Sequence, residues 1–191
     1  MNDYTEYKQI LEKRLKPKRY YHSLCVADEA MRLARKYGCD CEKAYLAGLL
    51  HDITKNATED EHLQIFNQFG IMLNDIEKNA EKLMHAISGA AYIENILGIK
   101  DIDVITAVRY HTTARANMSL LEKVLYLADF TSADRDYDDV DVMRQKVEIS
   151  IDAALDYALT YTINDLISRK KPLHLDTVMA YNEILLKGNF K

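Results

Sequence analysis

His51 and Asp52, side by side in the segment GLLHDITK, are the residues of this chain best placed to do chemistry. A histidine followed directly by an aspartate at a helix end lets an imidazole nitrogen and a carboxylate oxygen converge on one cation. The pair gains weight from His22 in KRYYHSLCVA, His85 in KLMHAISGA, His111 in RYHTTA and Asp129 in LYLADF, each set in an apolar helical pattern. Taken singly, a histidine on such a face is more often a hydrogen-bonded core residue than a ligand; it is the set that favours metal. Asp52 and Asp129 fall among the expected core positions, where an isolated carboxylate is very costly, and a cation is the simplest partner. His22, His51, Asp52 and Asp129 form a mixed imidazole and carboxylate site that suits zinc, iron or manganese better than calcium. His85 and His111 match in type what a second cation needs, with Asp52 as the bridge between the two. Water held between two cations ionises near neutral pH and can attack phosphorus, which supplies a nucleophile without Ser or Cys.

Charged and hydroxyl side chains nearby suggest a phosphate-bearing ligand. Lys55, three residues beyond Asp52, can reach back over the site and stabilise charge on a leaving group. Arg135 follows Asp129 closely and is suited to bidentate phosphate contact. Arg19 precedes His22 by less than a helical turn, and Thr112 and Thr113 carry hydroxyl donors; for these three an ordinary structural role is an equal alternative. His62 and His174 lack such company and are expected to be solvated. The acidic run Asp134, Asp136, Asp138, Asp139 and Asp141 lacks the glycine and terminal glutamate of an EF-hand, so a solvated loop with a helix cap is expected. Most tyrosines fall on helical stripes, with Tyr137 as a candidate to stack on a base.

These residues need helices to hold them. The hydrophobic period is 3.6 nearly throughout, with no strand pattern and no internal repeat. Tyr7, Ile10, Leu11 and Leu15 mark a helix that Pro17 should end. A second, from about Arg19 to Tyr37, places His22 on the buried stripe and stops at Gly38. Asp40 caps a third that delivers His51 and Asp52 at its end, and Thr58 with Glu61 has capping-box spacing for a fourth. Asn74 or Asp75 opens a stretch to Gly98 with a break near His85, and Asp101 caps a short helix ending in Tyr110 and His111. Ser119 and Glu122 cap the helix of Asp129. One long helix is expected from about Val140 to Ser168, and Asp176 caps a last one.

The chain is 191 residues with 48% hydrophobic content, six glycines and two prolines, which favours one all-α domain over a turn-rich β fold. We expect a single helical bundle over residues 1–191, with a metal-binding core at about 19–137 and C-terminal helices at about 140–187 packed on it. A net charge of −5 gives no overall pull toward nucleic acid or anionic lipid. No stretch has signal-peptide character or the roughly 20 apolar residues of a membrane span, so the expected location is cytoplasmic. Cys25, Cys39 and Cys41 are too few for a disulfide framework and read as reduced thiols.

With those residues in hand, the chain resembles the HD-domain phosphohydrolase superfamily, whose pattern of a histidine, then HD, then a distant aspartate falls on His22, His51, Asp52 and Asp129. More narrowly it is similar to the YqeK-type branch, the bacterial symmetrical bis(5'-nucleosyl)-tetraphosphatases, through RYYHSLCVA, GLLHDITK, MHAISGA, YHTTARANMS and KVLYLADFTSADRDY. The resemblance runs from about Arg19 to Tyr137. It implies an all-α HD fold, a di-iron site on His22, His51, Asp52, His85, His111 and Asp129, and hydrolysis of diadenosine tetraphosphate to two ADP, with Lys55 and Arg135 as phosphate contacts. Two departures stand out: Ala114 follows the HTT block where the family pattern has glycine, and Ala133 with Asp134 precedes the arginine where a Glu-Pro pair is common.

The expected activity is therefore metal-dependent cleavage of a dinucleoside polyphosphate by a metal-bridging hydroxide. Asp52 and Lys55 are its catalytic residues, and Arg19, Lys55, Thr112 and Arg135 its substrate contacts. Manganese, zinc, magnesium or cobalt are alternatives to iron. A nucleoside mono- or (deoxy)nucleoside triphosphate is the alternative substrate, and a non-catalytic nucleotide or metal sensor the alternative of another class. The sequence assigns no general acid and leaves a homodimer open.

Overall fold

Capping side chains set many of the helix starts in the computed structural model, which describes residues 3–187. The first two and last four residues of the expected domain span lie outside that range. Among the described residues eleven helices follow one another: α1 Thr5–Arg14, α2 Pro17–Tyr37, α3 Cys41–Leu50, α4 Glu59–Gln68, α5 Asp75–Asn79, α6 Glu81–Asn95, α7 Ile102–Tyr110, α8 Leu120–Thr131, α9 Val140–Ile149, α10 Ile151–Ser168 and α11 Leu175–Lys187. Among the described residues there is no strand, as the unbroken helical period predicts. Among the described residues no helix is long and apolar enough to cross a membrane.

All but one of the expected caps are in place; the exception is Asp176, which lies inside the first turn of α11, where its amide donates to His174 Nδ1 at 3.2 Å. Asp40 accepts from the Glu42 and Lys43 amides at 2.9 and 3.0 Å, and Asp101 caps α7 in the same way. Thr58 with Glu61, and Ser119 with Glu122, close reciprocal capping boxes at α4 and α8. Gly38 ends α2 at φ 78°, a left-handed conformation that a Cβ opposes. Ala114 takes φ 56° at the position where the resemblance's pattern has glycine, and its side chain is fully buried.

Three boundaries differ from expectation. Pro17 opens α2 instead of closing α1, since its missing N–H costs nothing in a first turn. The break expected near His85 falls at Ala80, whose φ −122° and ψ 77° separate α5 from α6, so His85 lies inside a continuous helix. The single helix expected over 140–168 is two: Ser150 is extended at φ −161° and ψ 140°, and its hydroxyl accepts from the Ala153 amide to start α10.

α2 packs on α3 and α8, α3 on α7 and α8, and α7 on α6, while α8 to α11 close the other side. Buried small residues on α2 and α3, among them Ala27, Ala30, Ala44 and Ala47, let those two helices approach closely. At Gly48 a Cβ would lie 2.7 Å from Ala27 Cα and 2.9 Å from the Val26 carbonyl oxygen, so the crossing admits no side chain there. The close approach brings the last turn of α3 against the part of α2 that follows His22.

Candidate metal centre

Each of the six expected ligands is delivered by a helix or the turn that ends it. His51 and His111 are the C-caps of α3 and α7, and the Nδ1–H of each donates to a carbonyl of its own last turn: His51 to Gly48 and His111 to Val108, both at 2.7 Å. Such terminal carbonyls have no partner within the helix, so the imidazoles satisfy them and turn Nε2 inward. His22 comes from α2, His85 from α6, and Asp129 from α8. The rings form a chain, with centroids 5.3 Å apart for His22 and His51, and 5.0 Å for both His51 with His111 and His85 with His111.

Asp52, 2% exposed, lies between the two halves. Its Oδ1 is 3.0 Å from His85 Nε2 and 3.8 Å from His111 Nε2, whereas Oδ2 is 3.4 Å from His51 Nε2 and 4.0 Å from His22 Nε2. Asp129 Oδ1 stands 3.0 Å from His22 Nε2 and 3.9 Å from His51 Nε2. Two groups of donor atoms, His22 with His51 and Asp129, and His51 with Asp52 and His111, each converge within 4.8 Å. His51 Nε2 and Asp52 Oδ1 are buried without a hydrogen-bond partner. Imidazole lone pairs directed at carboxylate oxygens repel unless a cation lies between them, so these donors fit metal ions.

Electrostatics favour the ionised acids, and at His85 and His111 the neutral rings, that metal binding requires. Burial works against the Asp52 carboxylate, but the neighbouring imidazoles, His51 foremost and then His111 and His85, hold it well below the usual range. Burial likewise opposes Asp129, and Arg135 and His22 more than offset it. Burial pushes His85 down to about 4 and lowers His111 as well.

Three cations border the donors, each about one-third exposed. Arg19 Nη1 donates to Asp52 Oδ2 at 2.7 Å. Lys55 Nζ is 3.1 Å from His85 Nε2 and 3.8 Å from Asp52 Oδ1, and burial lowers its pKa. Arg135 pairs with the Asp129 carboxylate and donates to its backbone carbonyl at 2.5 Å. The expected nearness of Arg19, Lys55 and Arg135 to the ligand set thus matches their placement. Thr112 is not joined to that set: its hydroxyl is buried without a partner, and the residue lines a cavity of about 400 Å³ with Leu83, Leu166 and Pro172. Thr113 donates to the Ala114 carbonyl.

Several expectations outside the ligand set are corrected. His62 and His174, expected in solvent, are 4% and 6% exposed. His62 Nδ1 meets Ser88 Oγ at 2.8 Å; Ser88 meets Thr54 Oγ1 at 2.9 Å, and Thr54 donates to the His85 carbonyl, so a buried polar chain backs the site. His174 sits against Asn74, Glu77 and the Asp176 amide. Tyr137, a candidate to stack on a base, instead packs on Tyr161 and donates to the Phe130 carbonyl. Asp134 does not belong to a solvated loop: its Oδ2 accepts from His22 Nδ1 at 2.8 Å and its Oδ1 from Ser132 Oγ at 2.8 Å. The only hint in the sequence was its place five residues after Asp129.

A family model for the HD domain matches residues 19–134. The symmetrical bis(5'-nucleosyl)-tetraphosphatase of Halalkalibacterium halodurans is 36% identical, over 94% of this chain and 95% of that protein. The Bacillus subtilis protein of the same name is 34% identical, over 90% of this chain and 92% of its own. A crystal structure from Clostridium acetobutylicum, described as a predicted HD superfamily hydrolase involved in NAD metabolism, has a TM-score of 0.94 and 36% identity, covering 98% of this chain and 100% of that one. Matched by the family model from α2 to just beyond α8 and by these relatives along nearly all its length, the chain belongs to the HD domain family.

Proposed function

We propose that this protein hydrolyses dinucleoside tetraphosphates symmetrically, diadenosine tetraphosphate to two ADP, at a two-metal centre held by His22, His51, Asp52, His85, His111 and Asp129. The observation that carries the reading is Asp52, buried with one carboxylate oxygen toward His85 and His111 and the other toward His51 and His22, so that it would offer a donor to each half of the ligand set. The names of relatives alignable over nine-tenths of the chain support the substrate. When bound by these residues, divalent cations would supply Lewis acidity and lower the pKa of water toward neutrality. Iron is our choice of metal, in keeping with an imidazole and carboxylate donor set that has no thiolate.

The chain's own residues do the remainder. Arg19, Lys55 and Arg135 present guanidinium and ammonium donors at the rim, where a polyphosphate carries its charge and where cleavage adds charge to the leaving oxygen. Buried Asp52 and the capped histidines keep their positions without solvent reorganisation. Anaerobically purified protein with quantified metal, offered a panel of nucleotides, tests the reading. ADP as sole product from diadenosine tetraphosphate supports it; AMP with ATP, or preferential turnover of nucleoside mono- or triphosphates, overturns it.

A further inference from the structure

His22 is held differently from His51 and His111. His51 and His111 cap helix ends and use carbonyls left free there, whereas His22 lies within α2, where the carbonyls around it are engaged in the helix ladder. Its Nδ1 needs an acceptor from elsewhere, and Asp134, 112 residues away, supplies Oδ2 at 2.8 Å. The other oxygen of that carboxylate is fixed by Ser132 Oγ at 2.8 Å. The turn that carries both is itself pinned: Arg144 of α9 donates to the carbonyls of Thr131, Ser132 and Arg135 at 3.3, 3.1 and 3.1 Å. His22 and Asp134 are 3% and 15% exposed at their side chains, so water competes little for the bond.

We propose that Asp134 is a positioning residue for the metal centre: it holds the proton of His22 on Nδ1, and thereby turns the Nε2 lone pair toward the point shared with His51 and Asp129. This rests on reading His22 as a metal ligand. An imidazole that donates to a carboxylate is fixed in tautomer and ring orientation and is a stronger ligand, and losing such a partner typically weakens metal binding about 10- to 100-fold. The same turn then serves two ligands at once, since Arg135, next to Asp134, pairs with Asp129.

The test uses full-length protein, histidine-labelled with nitrogen-15 and stripped of metal. With six histidines in the chain, a His22→Gln variant assigns the His22 signals in long-range proton–nitrogen correlations. Wild type is expected in the Nδ1–H tautomer at neutral pH. In Asp134→Ala that preference is lost, and Zn2+ affinity, read by competition with a chromophoric chelator, falls about 10- to 100-fold while far-UV circular dichroism is unchanged. Asp134→Asn, whose amide oxygen can still accept from Nδ1–H, retains the tautomer and loses less affinity; it carries the test if the alanine variant does not fold. An Nε2–H tautomer in wild type, or an unchanged tautomer with Zn2+ affinity within twofold of wild type in Asp134→Ala, overturns the proposal. Absence of dinucleotide hydrolysis in wild type would overturn the functional reading and leave these tautomer and affinity results intact, so the two failures are told apart.

Discussion

Replacing Gly48 by alanine tests the link between packing and site geometry. In an ordinary helix the change stabilises by about 0.5–1 kcal/mol, because glycine loses more backbone entropy on folding. Here the added Cβ would lie 2.7 Å from Ala27 Cα, 2.9 Å from the Val26 oxygen and 3.0 Å from the Ala27 nitrogen, all backbone atoms that cannot rotate away. Carbon atoms rest at about 3.5–4.0 Å, so α2 and α3 must separate by roughly 1 Å. Overpacking of this kind costs about 1–3 kcal/mol, which exceeds the gain in propensity. The net expectation is a loss of about 1–2 kcal/mol, and for a chain of this size a melting temperature lower by about 2–8 °C. Because α3 ends in His51 and Asp52 while α2 carries His22, the same displacement opens the ligand set, and misplacement by about 1 Å can lower turnover on the order of 100-fold. Thermal melting, metal quantification and hydrolysis of diadenosine tetraphosphate measure all three. Gly89→Ala is the control: its Cβ would meet Thr54 Oγ1 at 3.4 Å and Val108 Cγ1 at 3.7 Å, ordinary contacts, so it should leave stability equal or raised. A Gly48→Ala protein that melts at or above wild type with undiminished turnover would refute the packing argument.

Asp52→Asn should reduce bound metal below two ions per chain and lower turnover about 100-fold or more, with unchanged helical content; elemental analysis beside circular dichroism checks this. Metal-free protein should lose stability as pH falls from about 6.5 toward 4, because unfolded His85 takes up a proton that the folded chain, with its pKa down at about 4, does not. The difference at pH 4.5 is about 2–3 kcal/mol, read from urea midpoints in the presence of chelator. Burial lowers His62 and His111 too and adds loss of the same sign, whereas the depressed Asp52 and Asp129 withdraw their contributions only below the ordinary aspartate pKa of 3.8. Ser88→Ala leaves His62 Nδ1 and Thr54 Oγ1 without a shared partner in the core, and should cost about 1–3 kcal/mol in the same denaturation assay.

What could be read from the sequence was what local chemistry decides. Asp40, Thr58, Asp101 and Ser119 mark helix starts through bonds spanning two or three residues, and all four cap as expected. The six ligand candidates announced themselves as polar side chains in apolar stripes. Asp134 did not, because four more aspartates follow it within seven residues and its partner His22 is 112 positions away. Ser150 was hidden for another reason: isoleucines flank it, neither glycine nor proline is near, and no acidic residue sits at the position that would complete a capping box. His62 and His174 looked solvated in their charged or post-proline surroundings, but His62 turns inward from α4 to Ser88, and His174, just before α11, turns inward to Glu77.

The manner in which His51 and His111 meet the Gly48 and Val108 carbonyls has a bearing on how the centre assembles. Both bonds join residues three apart in the chain, so each imidazole is oriented by the helix that ends in it and needs nothing from the rest of the molecule. Two arms of the centre are thus ready-made as soon as α3 and α7 form, on a timescale of about a microsecond, and docking these helices has only to bring prepared pieces together. His22 differs from these two: its partner is 112 residues away, so its alignment waits until the turn after α8 has docked.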